Sequence, residues 1–288
     1  MQRCAFLTLD DPSAYVIDDE LAVQPLQALG WRVEFVSWRA GVAWRDYDAV
    51  VIRSTYDYIT APDAFLAALE QIERSGTPLF NDVEIVRWNV RKTYLRDLAD
   101  RGVPVVPTVF RDRLGTGELP ELLQAVGGGA VIKPVVGANA EGAWRLDART
   151  VREQAAGIEA YYADRPLMAQ PFVPAVVTEG EFSLFYFNGE HSHTILKTPA
   201  AADFRVQEEH GGHIRSAQGD VALLDAGRTA LDAVDGVPLY ARADFVRAND
   251  GDGFWLMELE LVEPSLYLRM DPGASERFAR ALHERVNG

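Results

Sequence analysis

The stretch from Phe254 to Ser265, FWLMELELVEPS, constrains the fold more than any other part of the chain. Its alternation with a period of two predicts a β-strand with one wholly apolar face. That face holds Trp255, Met257, Leu259 and Leu261. The opposite face carries Glu258 and Glu260 at its centre. Two such carboxylates on a half-buried face repel each other and lose hydration, so they need a cation or a raised pKa, unless this is an edge strand with a solvated face.

A second strand is predicted just upstream, from Leu239 to Val246, and it carries Arg242 and Asp244. The turn-rich residues 248–253 join it to the first strand, which predicts a β-hairpin. If the loop register is odd, Asp244 falls on the same face as the two glutamates. Three carboxylates on one face indicate a magnesium site, with the remaining positions left for water and phosphate oxygens.

Composition excludes several classes of partner. The net charge of −15 argues against nucleic acid and against an anionic membrane surface. No apolar run has the length of a transmembrane helix, and the run Ala5–Leu9 is typical of a first strand rather than of a signal peptide. Cys4 is the single cysteine, so no intrachain disulfide forms and a reducing compartment is expected. These features predict a cytoplasmic protein, and its 288 residues suggest two or three domains.

Lysine is rare in this chain. Of 28 basic residues, Lys92, Lys133 and Lys197 are the only lysines. A chain that otherwise uses arginine keeps lysine where a compact charge on a flexible stem is needed, although three lysines can also survive by chance.

The N-terminal part is predicted to be a small parallel α/β unit. Strands are expected at residues 3–9, 31–38, 48–53 and 77–81, with helices at 18–29 and 62–75, and a domain boundary near residues 83–89. The third strand ends in the loop Arg53–Tyr58, at a carboxyl end where open α/β sheets bind ligands. Arg53 is suited to clamp a carboxylate, with Ser54 and Asp57 beside it, while a solvated surface loop is the alternative.

The middle of the chain contains phosphate-binding features. A helix at residues 89–101 carries Lys92, and strands are expected at 103–108 and 130–136, the latter with Lys133 at its centre. The following loop, Gly137–Gly142, has backbone N–H groups that can cradle phosphates, although most such loops are hairpin turns. Residues 166–174 form a short strand and a proline-bounded segment whose unpaired backbone suits adenine. Glu179 and Glu181 follow, and either can accept hydrogen bonds from a ribose.

The remaining elements are predicted from periodicity and turn residues. A hairpin at residues 182–187 and 190–197 turns at Asn188-Gly189. Helices are expected at residues 119–126, 150–162, 220–234 and 274–286.

These pieces, in this order, resemble the ATP-grasp superfamily of carboxylate–amine ligases over about residues 89–286, and most of all its glutathione-synthetase and ribosomal-modification branch. The resemblance implies an α/β (α+β) fold. Residues 1–88 correspond to a Rossmann-like pre-ATP-grasp domain, 89–165 to the ATP-grasp N-terminal subdomain with its phosphate-covering loop, and 166–288 to the C-terminal subdomain with a metal site.

The resemblance also implies roles for individual residues. ATP contacts are implied for the lysines Lys92 and Lys133, the loop residues Gly137, Ala138, Asn139 and Gly142, the adenine hinge Gln170, Pro171, Phe172 and Val173, and a ribose acid at Glu181 or Glu179. Magnesium, with Mn²⁺ able to substitute, is implied at Asp244, Glu258 and Glu260. Arg205, in DFRVQEEHGG, matches the arginine that meets the reacting acyl phosphate, and it forms the implied catalytic pair with Lys133. The implied substrate residues are Arg53, Ser54, Asp57, Lys197 and Arg205.

The implied activity is ATP- and magnesium-dependent ligation. The enzyme converts a carboxylate of an amino-acid-like substrate to an acyl phosphate, which an amine attacks, giving ADP and phosphate. Glu260 stands where the superfamily often has Asn, and no additional arginine lies near Ser183, which argues against glutathione synthesis. The segments MAQPFV, GEFSLFYF, GEHSHTILKTP and DFRVQEEHGG are similar to the D-cycloserine-forming, O-ureido-serine cyclo-ligase group. Ring closure within one molecule is therefore the narrower expectation. The superfamily often forms dimers or tetramers, so a homo-oligomer is an open alternative.

Two other hypotheses belong to different classes. His191, His193, His210 and His213 fall within 23 residues, and the first two are expected to share a strand face. A histidine-bound metal supporting a hydrolase is therefore one alternative, although exposed histidines are more common. A nucleotide-binding protein without catalysis is the other, and the complete set of lysines and carboxylates argues against it.

Overall fold

Three β-sheets organise the residues described by the structure, a computed structural model that covers residues 1–138, 140–201, 203–249, 251 and 253–288. The first sheet is parallel and comprises β1 (Gln2–Thr8), β2 (Trp31–Ser37), β3 (Ala49–Ser54) and β4 (Leu79–Phe80). Its strand order is β2-β1-β3-β4. Helices α1 (Val23–Ala28) and α2 (Pro62–Arg74) connect the strands, as expected for a right-handed α/β unit.

The second sheet is antiparallel, with strand order β5-β8-β6-β7. Its strands are β5 (Val109–Arg111), β6 (Ala130–Pro134), β7 (Trp144–Leu146) and β8 (Leu167–Pro171). Helices α3 (Val83–Asn89) and α4 (Tyr94–Asp100) lead into it, and α5 (Leu119–Ala125) and α6 (Ala148–Tyr161) pack against it. The predicted 88/89 domain boundary lies within α3, and the three-part division stays a prediction.

The third sheet is a five-stranded antiparallel sheet with strand order β11-β10-β9-β12-β13. Its strands are β9 (Glu181–Phe187), β10 (Glu190–Thr198), β11 (His213–Ala217), β12 (Tyr240–Arg247) and β13 (Phe254–Glu260). Its helices are α7 (Ala175–Thr178), α8 (Val221–Asp232) and α9 (Ala274–Asn287). The turn between β9 and β10 has positive φ at Asn188 and Gly189, which explains the predicted Asn-Gly hairpin.

Buried polar side chains fix the first sheet against the third. The Tyr240 hydroxyl donates to the carbonyl oxygens of Ile52 (2.7 Å) and Val262 (2.8 Å), which belong to β3 and to the segment after β13. The Asn81 amide donates to the Tyr240 carbonyl at 3.0 Å and accepts from the Leu239 amide at 2.7 Å. The segment that follows the carboxylate strand is therefore held against the N-terminal sheet.

Two strand predictions are wrong in detail. Residues 103–108 form only an isolated bridge, Val105 to Leu256, because Pro104 and Pro107 cannot donate to a ladder. In β13 the ladder shifts between the pairs Asp244–Glu258 and Phe245–Leu256, and this bulge leaves Met257 out of the register. Leu256 therefore faces the core together with Leu259 and Leu261. Met257, which was predicted on the apolar face, lies instead on the cleft side with the glutamates.

No helix among the described residues combines the length and the apolarity that a membrane span needs.

Candidate active site

A deep cleft lies between the second and third sheets, and the first sheet closes one end of it. The second sheet contributes Lys133, Gln170, Pro171, Phe172 and Val173, together with the loop residues Gly137, Ala138, Ala140, Glu141 and Ala143. The third sheet contributes Glu181, Lys197, Arg242, Asp244, Glu258 and Glu260. Most of the residues predicted for ATP and metal thus come together in one place.

The three predicted metal ligands are brought together by strand register. Asp244 on β12 pairs directly with Glu258 on β13, and Arg242 pairs with Glu260. One carboxylate oxygen from each of Asp244, Glu258 and Glu260 lies within 4.8 Å of the other two. Oxygen ligands at this spacing suit a hard divalent cation such as Mg²⁺.

Burial and the neighbouring charges shift the pKa values of these carboxylates. Burial raises the pKa of Glu260 to about 7, and the charges of Glu258 and Asp244 add to this while Arg242 opposes it. Arg242 and Lys197 overcome the effect of burial at Asp244 and lower its pKa to about 2. Glu260 is therefore partly protonated near neutral pH, and a cation bound beside it would lower its pKa.

Lys92 and Lys133 approach the carboxylates from the opposite wall. The Lys92 ammonium donates to the Gly137 carbonyl at 3.0 Å and forms a short ion pair with Glu258. Against the effect of burial, Lys92 and then Lys133 lower the pKa of Glu258. Both lysines thus lie close to the carboxylate of Glu258.

Lys197 lies at the floor of the cleft and is 4% exposed. Its ammonium contacts Glu181 Oε1 at 3.0 Å and Asp244 Oδ1 at 3.4 Å. Since Glu181 is thereby tied to the metal-site carboxylates through Lys197, it belongs to the charged end of the cleft. Glu179 does not line the cleft. Its carboxylate is bound bidentately by Arg247, with both contacts at 2.8 Å.

Among the described residues of the loop after β6, Gly137, Ala138, Ala140 and Glu141 line the cleft. At Gly142, with φ +66°, an added Cβ would lie 2.5 Å from the Tyr161 hydroxyl, and the Tyr162 hydroxyl donates to the Gly142 carbonyl. Only glycine fits this position. Gly137 and Ala138 line the cleft while Gly142 anchors the loop behind it, and Asn139 lies outside the described residues.

All four residues of the predicted adenine hinge, Gln170–Val173, line the cleft. The Gln170 amide donates to Thr108 Oγ1 at 3.0 Å. The Phe172 N–H already donates to the Gly129 carbonyl at 3.0 Å, so the expectation of an unpaired backbone is only partly right. The Arg145 guanidinium carbon lies 3.7 Å from the centre of the Phe172 ring, which also lines the cleft.

Arg205 lies at the mouth of the cleft and is paired with Asp203. The two side chains form a bidentate contact, with Nη2 to Oδ2 at 2.8 Å. The Arg205 guanidinium holds the pKa of the Asp203 carboxyl well below its usual range. The arginine is thus positioned by a carboxylate and remains about a third exposed.

Arg53, Ser54 and Asp57, which were predicted to bind the substrate, are instead bound to other groups of the protein. Arg53 is 1% exposed, and its guanidinium binds Asp19 at 2.9 Å and the Pro264 carbonyl at 3.0 Å. Ser54 donates to Thr8 Oγ1 at 2.9 Å, and Asp57 accepts from Trp38 at 2.8 Å. A buried guanidinium is stable only with such partners, so the predicted direct contact of Arg53 with substrate is wrong.

The predicted site residues did not include Arg242, Glu263 and Tyr267, which all line the cleft, whereas Tyr56 belongs to the predicted loop Arg53–Tyr58. Arg242 binds both Asp244, at 2.9 Å, and Glu260. The strand pattern contained this signal, because Arg242 and Asp244 are two residues apart on one strand face. Glu263 follows the strand in an irregular segment, where no periodicity points to it.

The histidines do not form a metal site. A register shift between His191 and His193 breaks the expected common face. His193 stacks on Phe185 at 4.3 Å, and burial lowers its pKa to about 4. Among the described residues the one cluster suited to a metal is the carboxylate set, so a histidine-based hydrolase is not favoured.

Comparisons with known proteins identify relatives of this chain. The cycloserine biosynthesis protein DcsG of Streptomyces lavendulae is 30% identical, with 92% of each chain covered. A crystal structure of D-cycloserine synthetase DcsG superposes with a TM-score of 0.85 over 99% of this chain and 100% of that chain, again at 30% identity. The ATP-grasp ligase PsnB, solved with a minimal precursor, Mg and ADP, shares the fold at 15% identity, with a TM-score of 0.66 over 99% of this chain and 98% of that chain.

The fold and the site define an ATP-grasp ligase, an enzyme that uses ATP to join a carboxylate to an amine and forms ADP. Residues 4–81 match the family model described as the N-terminal domain of D-cycloserine synthetase DcsG. The chain belongs to the D-cycloserine synthetase DcsG family.

Proposed function

We propose that this ligase closes a ring within one small amino acid that carries a second nitrogen, with O-ureido-D-serine as the first candidate. The observation that carries the proposal is the similarity to the cycloserine biosynthesis protein DcsG, which is 30% identical over 92% of both chains. Attack within one molecule gains a large effective molarity, so little protein is needed to position the nucleophile. A cytoplasmic location remains part of the proposal.

In this proposal, ATP lies along the cleft with its adenine at Gln170–Val173 and its phosphates beside Lys92 and Lys133. Gly137 and Ala138 present backbone groups to the phosphates, and the loop covers them. The two lysine ammoniums supply compact charges, which suits phosphoryl transfer because it depends on charge neutralisation more than on covalent help. Closure of the loop keeps water away from the acyl phosphate.

Asp244, Glu258 and Glu260 would hold Mg²⁺. The fit rests on two features: the three oxygens converge within 4.8 Å, and Glu260 has a pKa of about 7 that an added cation would lower. Held by these residues, the ion would neutralise negative charge during phosphoryl transfer. The Lys92 ammonium pairs with Glu258, and the Arg242 guanidinium pairs with Glu260.

In the proposal, the positively charged side chains around the carboxylate cluster assist the formation and the breakdown of the acyl phosphate. A substrate carboxylate oxygen attacks the γ-phosphorus, and ADP leaves. The second nitrogen then attacks the acyl carbon, the bond from that carbon to the phosphate oxygen breaks, phosphate departs and the nitrogen loses its proton. Arg242, Lys197 and Arg205 are the cations in reach of the oxyanion that forms, and we assign its stabilisation to them.

The test is to supply candidate substrates singly and in pairs with Mg²⁺ and ATP. Phosphate release is followed by a coupled assay, and the product is identified by mass spectrometry. The proposal predicts turnover with a single amino acid and a cyclic product. Turnover only with two organic substrates, with a product mass equal to their sum less water, would rule out ring closure.

A further inference from the structure

Glu263 is the exception among the buried and half-buried carboxylates of the cleft. The other members each bind a cation: Glu181 binds Lys197, Asp244 binds Arg242, Glu258 binds Lys92 and Glu260 binds Arg242. Glu263 is 8% exposed and lines the same cleft, yet no basic side chain in the described part of the chain forms an ion pair with it. A buried carboxylate without a cation is costly, so this position is suited to a positive group that a ligand brings.

The backbone that carries Glu263 is held in place from three sides. The Tyr240 hydroxyl donates to the Val262 carbonyl at 2.8 Å, and Arg53 donates to the Pro264 carbonyl at 3.0 Å. The Tyr56 hydroxyl and Ser265 Oγ lie 3.3 Å apart. These contacts fix the residues on both sides of Glu263, so its carboxylate has a defined position at this end of the cleft. The buried Arg53 thus acts on the site by positioning.

Aromatic side chains lie near the carboxylate. The Tyr58 hydroxyl and Tyr56 both interact with Glu263. The rings of Tyr15 and Tyr56, with centroids 4.9 Å apart, line the cleft together with Glu263. Phenol rings exclude water and attract a cation to their faces. Glu263 also stands outside the carboxylate triad whose oxygens lie within 4.8 Å of each other, which separates it from the metal site.

We propose that Glu263 binds the α-ammonium group of the amino-acid substrate, so that the substrate carboxylate points toward Arg242 and Lys197. This inference rests on the proposed amino-acid substrate. Held against Glu263, the α-amine stays protonated and has no lone pair, so it cannot compete with the second nitrogen for the acyl phosphate. A substrate of the same shape without the ammonium leaves Glu263 unpaired and binds poorly.

The test compares O-ureido-D-serine with its des-amino analogue, 3-(ureidooxy)propanoate. Binding of each is measured by calorimetry to the wild type and to Glu263→Gln, with Mg²⁺ and a non-hydrolysable ATP analogue present. The wild type should prefer the ammonium-bearing compound by roughly 10–100-fold, the range of a charge-assisted contact, and Glu263→Gln should lose this preference. Glu263→Asp should keep part of it. Glu276→Gln, which removes one charge from an exposed position on α9, should keep all of it.

Three results would overturn the inference. They are a wild type without preference, a Glu263→Gln variant that retains the preference, and a Glu263→Gln variant whose main change is a higher Mg²⁺ requirement, which would make Glu263 a metal ligand. The ring-closure proposal fails separately, through the absence of single-substrate turnover in an enzyme that still shows the ammonium preference.

Discussion

Replacement of Lys197 by methionine should destabilise the protein strongly, and removal of the Glu181 charge should reverse most of the loss. Lys197 is 4% exposed, and its ammonium lies 3.0 Å from Glu181 Oε1, whereas Asp244 keeps Arg242 as a second partner. Lys197→Met therefore leaves Glu181 as the uncompensated charge. Breaking a buried pair in this way costs about 3–5 kcal/mol, while replacing both partners is close to neutral. The double variant Lys197→Met/Glu181→Gln should therefore recover at least about 2 kcal/mol.

The assay is urea unfolding at pH 7.5 with EDTA, followed by tryptophan fluorescence, on the wild type, both single variants and the double variant. The Arg247–Glu179 pair is a matched control, because its side chains are 35% and 32% exposed and its coupling should stay below about 1 kcal/mol. Equal slopes against urea would show that the same surface unfolds in every variant. Additivity of the Lys197 and Glu181 effects to within about 0.5 kcal/mol would refute the reasoning.

Three further outcomes follow from the same contacts. Glu258→Gln should abolish turnover and keep the fold, because it removes a ligand charge without changing shape; wild-type activity at limiting Mg²⁺ would contradict the metal site. Lys133→Arg should impair nucleotide binding almost as much as Lys133→Ala, since a planar fork cannot replace a compact charge in a packed site, and isothermal titration with an ATP analogue checks it. Burial, with the charge of Glu260 adding to it, raises the pKa of Glu263 to about 8 from 4.5, so the wild type loses stability as pH rises from 4.5 to 8. Glu263→Gln should match the wild type near pH 4 and exceed it at pH 8, by up to roughly 4 kcal/mol in EDTA, and melting curves that shift equally at both pH values would contradict this.

Local patterns predicted most of the elements because their signals are short-range. The Asn-Gly hairpin, the α/β alternation of the first 80 residues and helix α2 each follow from turn residues and periodicity. The carboxylate set was also predictable, since Asp244, Glu258 and Glu260 lie on two strands joined by a turn-rich loop. The bulge at Met257 was not, because it depends on how β12 and β13 pair and not on the residues of either strand.

Contacts between residues far apart in the sequence determine the positions that local patterns did not predict. Arg53 follows a strand at a carboxyl end, as ligand-binding residues do, yet Asp19 and the Pro264 carbonyl, 34 and 211 residues away, occupy its guanidinium. Glu263 lies at the cleft because Tyr240 and Asn81 hold the segment after β13 against the first sheet. No local pattern encodes contacts of that kind.

The most direct test of carboxylate activation follows the oxygen atoms. O-ureido-D-serine labelled with ¹⁸O in both carboxylate oxygens is turned over with unlabelled ATP and Mg²⁺, and the released phosphate is analysed by mass spectrometry. If the carboxylate attacks ATP and phosphate then leaves the acyl carbon, each phosphate carries one ¹⁸O atom. Phosphate without ¹⁸O, formed together with product, would contradict an acyl phosphate in this cleft.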